Sequence, residues 1–131
     1  MSAWGYRTFE NDNASDWVAE LEQTKDLTSV KAAVNAVLRG PRKYLTTFAC
    51  CQALAAAEVI AALHGHPAEE LPTRLKSWMS EKPAPEPLLV QRAASAVDAI
   101  LNDSELKEVW AETSDFAAWQ ASVMGLKARL A

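Results

Sequence analysis

The sequence predicts an all-α fold, a compact single-domain bundle of six or seven helices around a buried, alanine-rich central helix. Three observations predict it. Apolar residues recur at i, i+3, i+4, i+7 spacing along almost the whole chain, and nowhere is there convincing strand alternation. Half of the 131 residues are apolar, enough material for a core, since a chain of this size buries roughly two-thirds of its unfolded surface. The breaks between periodic stretches carry helix stop and start residues: Gly40-Pro41, Gly65, Pro72, and the run Lys82-Pro83-Ala84-Pro85-Glu86-Pro87.

The first helix is expected to start near Asn11. Asn is a good N-cap, and Asp12 and Asp16 sit toward the positive end of the helix dipole. Its inward stripe is Ala14, Trp17, Val18 and Leu21. A second helix, about Thr28 to Arg39, turns Val30, Val34, Val37 and Leu38 inward and ends at Gly40-Pro41. The third, about Arg42 to His64, is the least polar. Leu45, Phe48, Gln52, Ala55, Ala56, Val59, Ile60 and Leu63 line one broad side, and alanine and cysteine fill most of the other. A helix apolar nearly all round belongs in the middle of a domain, and Gly65 is its C-terminal stop.

A short fourth helix spans about Pro72 to Ser80, with Leu71, Leu75, Trp78 and Met79 on its face and Pro72 suited to a first helical position. The alternating prolines over 82–87 forbid helix and favour an extended loop inside the domain. The fifth helix, about Leu88 to Leu101, buries Leu89, Ala93, Ala96, Val97 and Ile100. Asn102-Asp103-Ser104-Glu105 then has the form of a capping box, Asn102 as cap and Glu105 three residues on, before Leu106, Val109 and Trp110. Ser114-Asp115 caps a seventh helix whose Phe116, Trp119, Val123, Leu126 and Leu130 repeat at 3-4-3-4 spacing. Over two heptads that seam packs within the bundle rather than forming a coiled coil.

Charge and motif content exclude several classes. The net charge is −4, and nucleic-acid binding needs clustered Lys and Arg. The densest basic cluster, Arg39, Arg42 and Lys43, reads as cations at a helix C-terminus. The opening Met1-Ser2-Ala3-Trp4-Gly5-Tyr6-Arg7 has no basic stretch followed by an apolar one, so no secretory signal is expected. The apolar run Tyr44–Leu63 contains Thr46, Thr47, Gln52 and Glu58 and is read as buried helix, not a membrane span. Cys50 and Cys51, the only cysteines, are adjacent and point to different faces, which suits two small buried hydrophobes in a reducing compartment and hence a cytoplasmic protein. With glycine only at 5, 40, 65 and 125, there is no phosphate-cradling loop, no nucleophile elbow and no H-E-x-x-H. No cofactor and no catalytic residue is indicated. Of the five tryptophans, Trp17, Trp78, Trp110 and Trp119 fall on inward stripes.

Three stretches together carry a family resemblance: Trp4-Gly5-x-x-x-Phe9-Glu10-Asn11-Asp12-x-Ala14-x-Asp16-Trp17, Ala53-Leu54-Ala55-Ala56-Ala57-Glu58-Val59-Ile60-Ala61-Ala62, and Asp103-Ser104-Glu105-Leu106-x-x-x-Trp110. In this order, they resemble the bacterial domain-of-unknown-function family 4259, with Ser2 where that family's opening has Gly. The resemblance implies a short, helical, bacterial protein and supplies no catalytic residue. The matched positions also have purely structural readings. Gly5 suggests a backbone turn that a side chain would hinder, Trp4 and Phe9 pin the leading segment onto the bundle, and Asn11 and Asp12 cap the first helix.

Glu58 is the sharpest anomaly, the only charge between Lys43 and His64. A buried carboxylate must be paired, hydrogen-bonded or protonated. Either it is a general base or ligand anchor, or it is a structural partner for an arginine such as Arg92, or for backbone or indole N–H groups near the opening segment. The ligand-binding candidates are Trp4, Asp12, Asp16 and Glu58. Asp12, Asp16 and Glu20 lie along one helix edge and, with Glu58, would supply hard oxygen ligands, but this spacing is also that of an ordinary solvated face and no ligand loop accompanies it. His64-Gly65-His66 lacks further ligands for zinc. Two functions are therefore expected. The first is a non-catalytic protein-binding module, such as an adaptor or immunity-type protein, for a partner with a basic surface and with no nucleic-acid or membrane role. The alternative is a small-molecule or metal-binding domain, with enzymatic activity included, centred on Glu58.

Overall fold

The computed structural model describes residues 3–39 and 44–131. Ser2, the Gly40-Pro41 stop and the Arg42 and Lys43 of the basic cluster lie outside the described residues. Within them are seven helices: α1 (Asp12–Leu21), α2 (Thr28–Leu38), α3 (Thr47–Leu63), α4 (Thr73–Met79), α5 (Pro87–Asn102), α6 (Glu105–Ala111) and α7 (Phe116–Arg129). The all-α expectation holds, and no strand occurs among the described residues beyond an isolated antiparallel bridge, Ala3 to Asn11.

Helix α3 is the axis of the fold. It packs against α1, α2, α5, α6 and α7, and every residue from Ala53 to Ala61 is buried. Small side chains make this possible, because alanine lets neighbouring backbones approach from several directions at once. The helix ends as Gly65 predicts. Gly65 takes φ +94, its N–H reaches Ala62 O at 3.0 Å, and the His66 N–H reaches Ala61 O at 2.9 Å. That is the Schellman pairing, in which a glycine closes the helix at little steric cost.

The start of α3 differs from the expectation. Tyr44 to Thr46 are not helical; Thr46 is extended at φ −70, ψ 153, and its hydroxyl accepts from the Ala49 N–H. Phe48, placed on the inward side from sequence, is 59% exposed, because the helix enters the core only about a turn after its cap. The capping of α6 is corrected as well. Asn102 is the last residue of α5, and the N-cap is Ser104, whose hydroxyl accepts from the Lys107 N–H at 3.0 Å and donates to Ile100 O at 2.8 Å. Glu105 does not fold back on its own helix. Its Oε1 accepts from the Thr47 N–H at 2.7 Å, its own N–H donates to Leu45 O at 2.9 Å, and the Tyr44 hydroxyl donates to Glu108 Oε2 at 2.8 Å. Two helix N-termini thus meet, and the Glu105 carboxylate of one takes an otherwise unpaired N–H of the other.

Helix α4 sits by the end of α1. The Trp78 indole N–H donates to Thr24 O at 2.8 Å, which leaves that ring half-buried. Trp17, Trp110 and Trp119 are in the core. In the α7 seam Trp119, Val123, Leu126 and Leu130 are buried, and Phe116 is half-buried and stacks on Trp119. Asp115 stands at the α7 cap position without a side-chain capping bond.

Candidate functional site

The opening segment, residues 3–11, is a loop closed on itself. The Ala3–Asn11 bridge forms its neck, and the Trp4 N–H donates to Glu10 O at 3.0 Å. The Glu10 N–H returns to Arg7 O at 3.1 Å, and Glu10 Oε1 accepts from the Arg7 N–H at 3.1 Å. Asn11 works in two directions. Its Oδ1 accepts from the Ala14 N–H at 2.8 Å, capping α1 as expected, and its Nδ2 donates to Thr8 O at 3.1 Å. A Cβ at Gly5 would lie 2.5 Å from Glu10 Oε1. The atom met is the end of a flexible side chain and not backbone, so a side chain at Gly5 would displace the Glu10 carboxylate rather than the turn.

Only one of the two expected aromatic anchors packs down. Phe9 is half-buried against the core, but Trp4 is 63% exposed. The loop is held instead by its own hydrogen bonds and by Phe9.

The loop is fastened to the bundle through Glu58. This carboxylate is 4% exposed, and both oxygens are engaged. Oε1 accepts from Arg129 Nη1 at 2.9 Å, while Oε2 accepts from the Thr8 hydroxyl at 3.1 Å and from Arg129 Nη2 at 3.3 Å. Arg129 also donates to His66 O at 3.2 Å. One buried ion pair therefore joins the opening loop, the middle of α3, the α3–α4 connection and the last turn of α7. The expected partner Arg92 is elsewhere, its Nε donating to Asn35 Oδ1 at 2.9 Å. Of the alternatives the sequence left open for Glu58, the structure shows an arginine, and it is Arg129 rather than Arg92. No local signal connects positions 58 and 129, because the pairing exists only once α7 has packed against α3.

The four candidate ligand-binding residues are not gathered into one site. Asp12 and Asp16 are exposed on α1, as is Glu20, and Glu58 is buried. Among the described residues no three His, Cys, Asp or Glu side chains are grouped to hold a metal. His64 and His66 make an edge-on ring contact at 5.6 Å on the exposed end of α3. Burial pushes the Cys50 thiol up to about 12 and the Cys51 thiol up to about 11, so both stay protonated at neutral pH and are poor nucleophiles.

A groove of about 500 Å³ runs between the opening loop and α7. Its lining includes the buried Glu58 with Arg129, Arg7 and Glu10 of the opening loop, and the exposed Glu69 and Glu70. The Arg7 guanidinium pairs with Glu70 at 3.2 Å, both side chains half or more exposed. Such exposed pairs contribute about 0–1 kcal/mol. The α7 wall is made of Ala121, Ser122 and Gly125. A Cβ at Gly125 would meet nothing within 4 Å, yet glycine inside a helix costs about 1 kcal/mol relative to alanine. Sequence reasoning noted this glycine without assigning it a role.

The family model described as "Domain of unknown function (DUF4259)" matches residues 2–122. The chain belongs to this family. The matched range takes in the opening loop, Glu58 and the Ser104–Trp110 stretch. Arg129, the partner of Glu58, lies outside the residues matched to DUF4259. No curated protein and no solved structure matches the chain.

Proposed function

We propose that this DUF4259 chain is a non-catalytic protein-binding module, of the adaptor or immunity type, for a partner with a basic surface. The observation that carries this reading is Trp4, a large aromatic ring 63% exposed on a loop held by its own hydrogen bonds and by the Thr8–Glu58–Arg129 junction. Burying a charge pair to brace a loop is costly, and a fixed loop presenting one tryptophan has the form of an interface anchor. Beside the neck of this loop α1 begins, with Asp12 and Asp16 exposed and without ion-pair partners among the described residues. These carboxylates supply complementarity to Lys and Arg.

The non-catalytic part of the reading is supported by the chemistry of the strongest candidates. Both oxygens of Glu58 are engaged by Arg129 or Thr8, and burial holds the two thiols protonated. The acidic net charge supports a protein rather than a nucleic acid as partner. No helix among the described residues is long and apolar enough to cross a membrane, and the buried thiols suit a reducing bacterial cytoplasm.

The test is a tagged pull-down from the native cell at low and high salt, read by mass spectrometry, with Trp4→Ala as control. A single stoichiometric basic partner, released by salt and lost with Trp4→Ala, is the expected result. Salt-insensitive capture, or none at all, overturns the reading. The second reading, a small-molecule or metal-binding domain centred on Glu58, draws support from the groove above that residue. It requires a metal or metabolite that raises the melting temperature of the wild type and not that of Glu58→Gln.

A further inference from the structure

We propose that the groove between the opening loop and α7 is the channel in which an extended basic segment of the partner docks, with Gly125 as the point of closest backbone approach. This rests on the protein-binding reading and assigns it a second contact besides Trp4.

Gly125 is the first observation. It lies in the middle of α7 with no positive φ, and a Cβ there would meet no atom within 4 Å. Neither turn geometry nor packing within the chain requires glycine. Its lack of a side chain leaves a notch on the helix surface beside Ala121 and Ser122, and a notch of this kind lets a second backbone come close. A polypeptide fits that shape better than a compact metabolite does.

Charge is the second observation and selects the kind of polypeptide. Glu58 and Arg129 cancel each other. The rest of the lining carries three carboxylates, Glu10, Glu69 and Glu70, and one guanidinium, Arg7. The Arg7–Glu70 pair is exposed on both sides, so an incoming Lys or Arg can take Arg7's place on Glu70 at little cost. The occupant is therefore a segment with a small residue at Gly125 and basic residues to either side of it.

The probe is a flexible peptide of alternating glycine and arginine, titrated by NMR into the wild type, Gly125→Ala, Gly125→Leu and Trp4→Ala, with melting temperatures taken in parallel. Both Gly125 variants are expected to fold and to melt no lower than the wild type, since Ala and Leu are better helix formers. Leucine fills the notch and is expected to weaken peptide binding by about tenfold or more, with alanine intermediate. Amide shifts are expected over 7–10 and 121–129. Equal binding by Gly125→Leu, shifts confined to Trp4 and α1, or no wild-type binding at millimolar peptide would each overturn the assignment. A cellular partner lost with Trp4→Ala and retained by Gly125→Leu removes the groove while leaving the protein-binding reading intact. Peptide binding in the groove with no salt-sensitive cellular partner does the reverse.

Discussion

Two polar junctions hold distant parts of this chain together, and they work in opposite regimes. At one, Glu58 and Arg129 meet under the opening loop, the glutamate buried and the arginine side chain 26% exposed. At the other, Glu105 ties the start of α6 to the start of α3 while Ser104 caps α6 itself, with Glu105 half-buried and Ser104 buried. The first joins two full charges that have lost most of their water. The second joins one carboxylate and one hydroxyl to backbone N–H groups that would otherwise have no partner at a helix end. A desolvated pair adds little net stability when intact and is severe when half removed. A cap contributes modestly and fails gently.

The largest expected effect follows from that asymmetry. Glu58→Ala leaves Arg129 without its carboxylate and Thr8 without its acceptor, and is expected to cost about 3 kcal/mol, read as a lower urea midpoint at unchanged slope. Replacing both members, Glu58→Leu with Arg129→Met, is expected to recover most of the loss. If the double variant is as unstable as the single one, the junction acts through shape and not through charge. The buried thiols give a second readout. Cys50 and Cys51, held protonated and covered, are expected to react with a thiol reagent only through opening of the fold, and Glu58→Ala should speed that labelling.

Next in size is Ser104→Ala. It removes the cap of α6 and strands Ile100 O, and a loss of about 1–2 kcal/mol is expected. A loss as large as that of Glu58→Ala would mean that the two junctions do not differ in kind.

The two junctions also differ in how far the sequence reveals them. Periodicity and stop residues located all seven helices, because each apolar stripe is a local pattern and the core is the sum of those stripes. Glu58 stood out because a lone charge in an alanine-rich helix is anomalous in any fold. Its partner did not, since Arg92 and Arg129 look alike until packing decides which one reaches α3. The same holds for Glu105. Three residues after Asn102 it satisfies the capping-box spacing, yet its carboxylate serves Thr47, far away in sequence. Tyr44–Thr46 read as helix because nothing local forbids it, while Thr46 was the cap signal that reading passed over. Trp4 misled for another reason. Apolar residues favour the interior, but a folded surface remains largely apolar, so no pattern marks which tryptophan stays outside.

The smallest effects belong to the surface side of the second junction, where pH is the sharper instrument. The Thr47 backbone N–H holds the Glu105 carboxyl below its ordinary range. A depressed carboxyl contributes stability that is present above the unfolded value, about 4.3, and is lost as pH falls through the folded value. The difference in melting temperature between wild type and Glu105→Gln is therefore expected to be constant near neutrality and to shrink below about pH 4.3. A difference that persists unchanged in acid would show that the charge of Glu105 is irrelevant to the α3 terminus. Tyr44 gives the opposite sign. Its bond to Glu108 raises the phenol to about 12, so its contribution is present below the ordinary tyrosine range, about 10, and fades as pH rises toward 12. Absorbance titration of wild type against Tyr44→Phe should show one late-ionising phenol absent from the variant. Since Tyr44 is exposed and Glu108 is solvated, the melting temperatures of the two proteins at neutral pH should be nearly equal. A clear drop in Tyr44→Phe would mean that the segment before α3 is held by this one hydroxyl, and not by the Leu45–Glu105–Thr47 pairing beneath it.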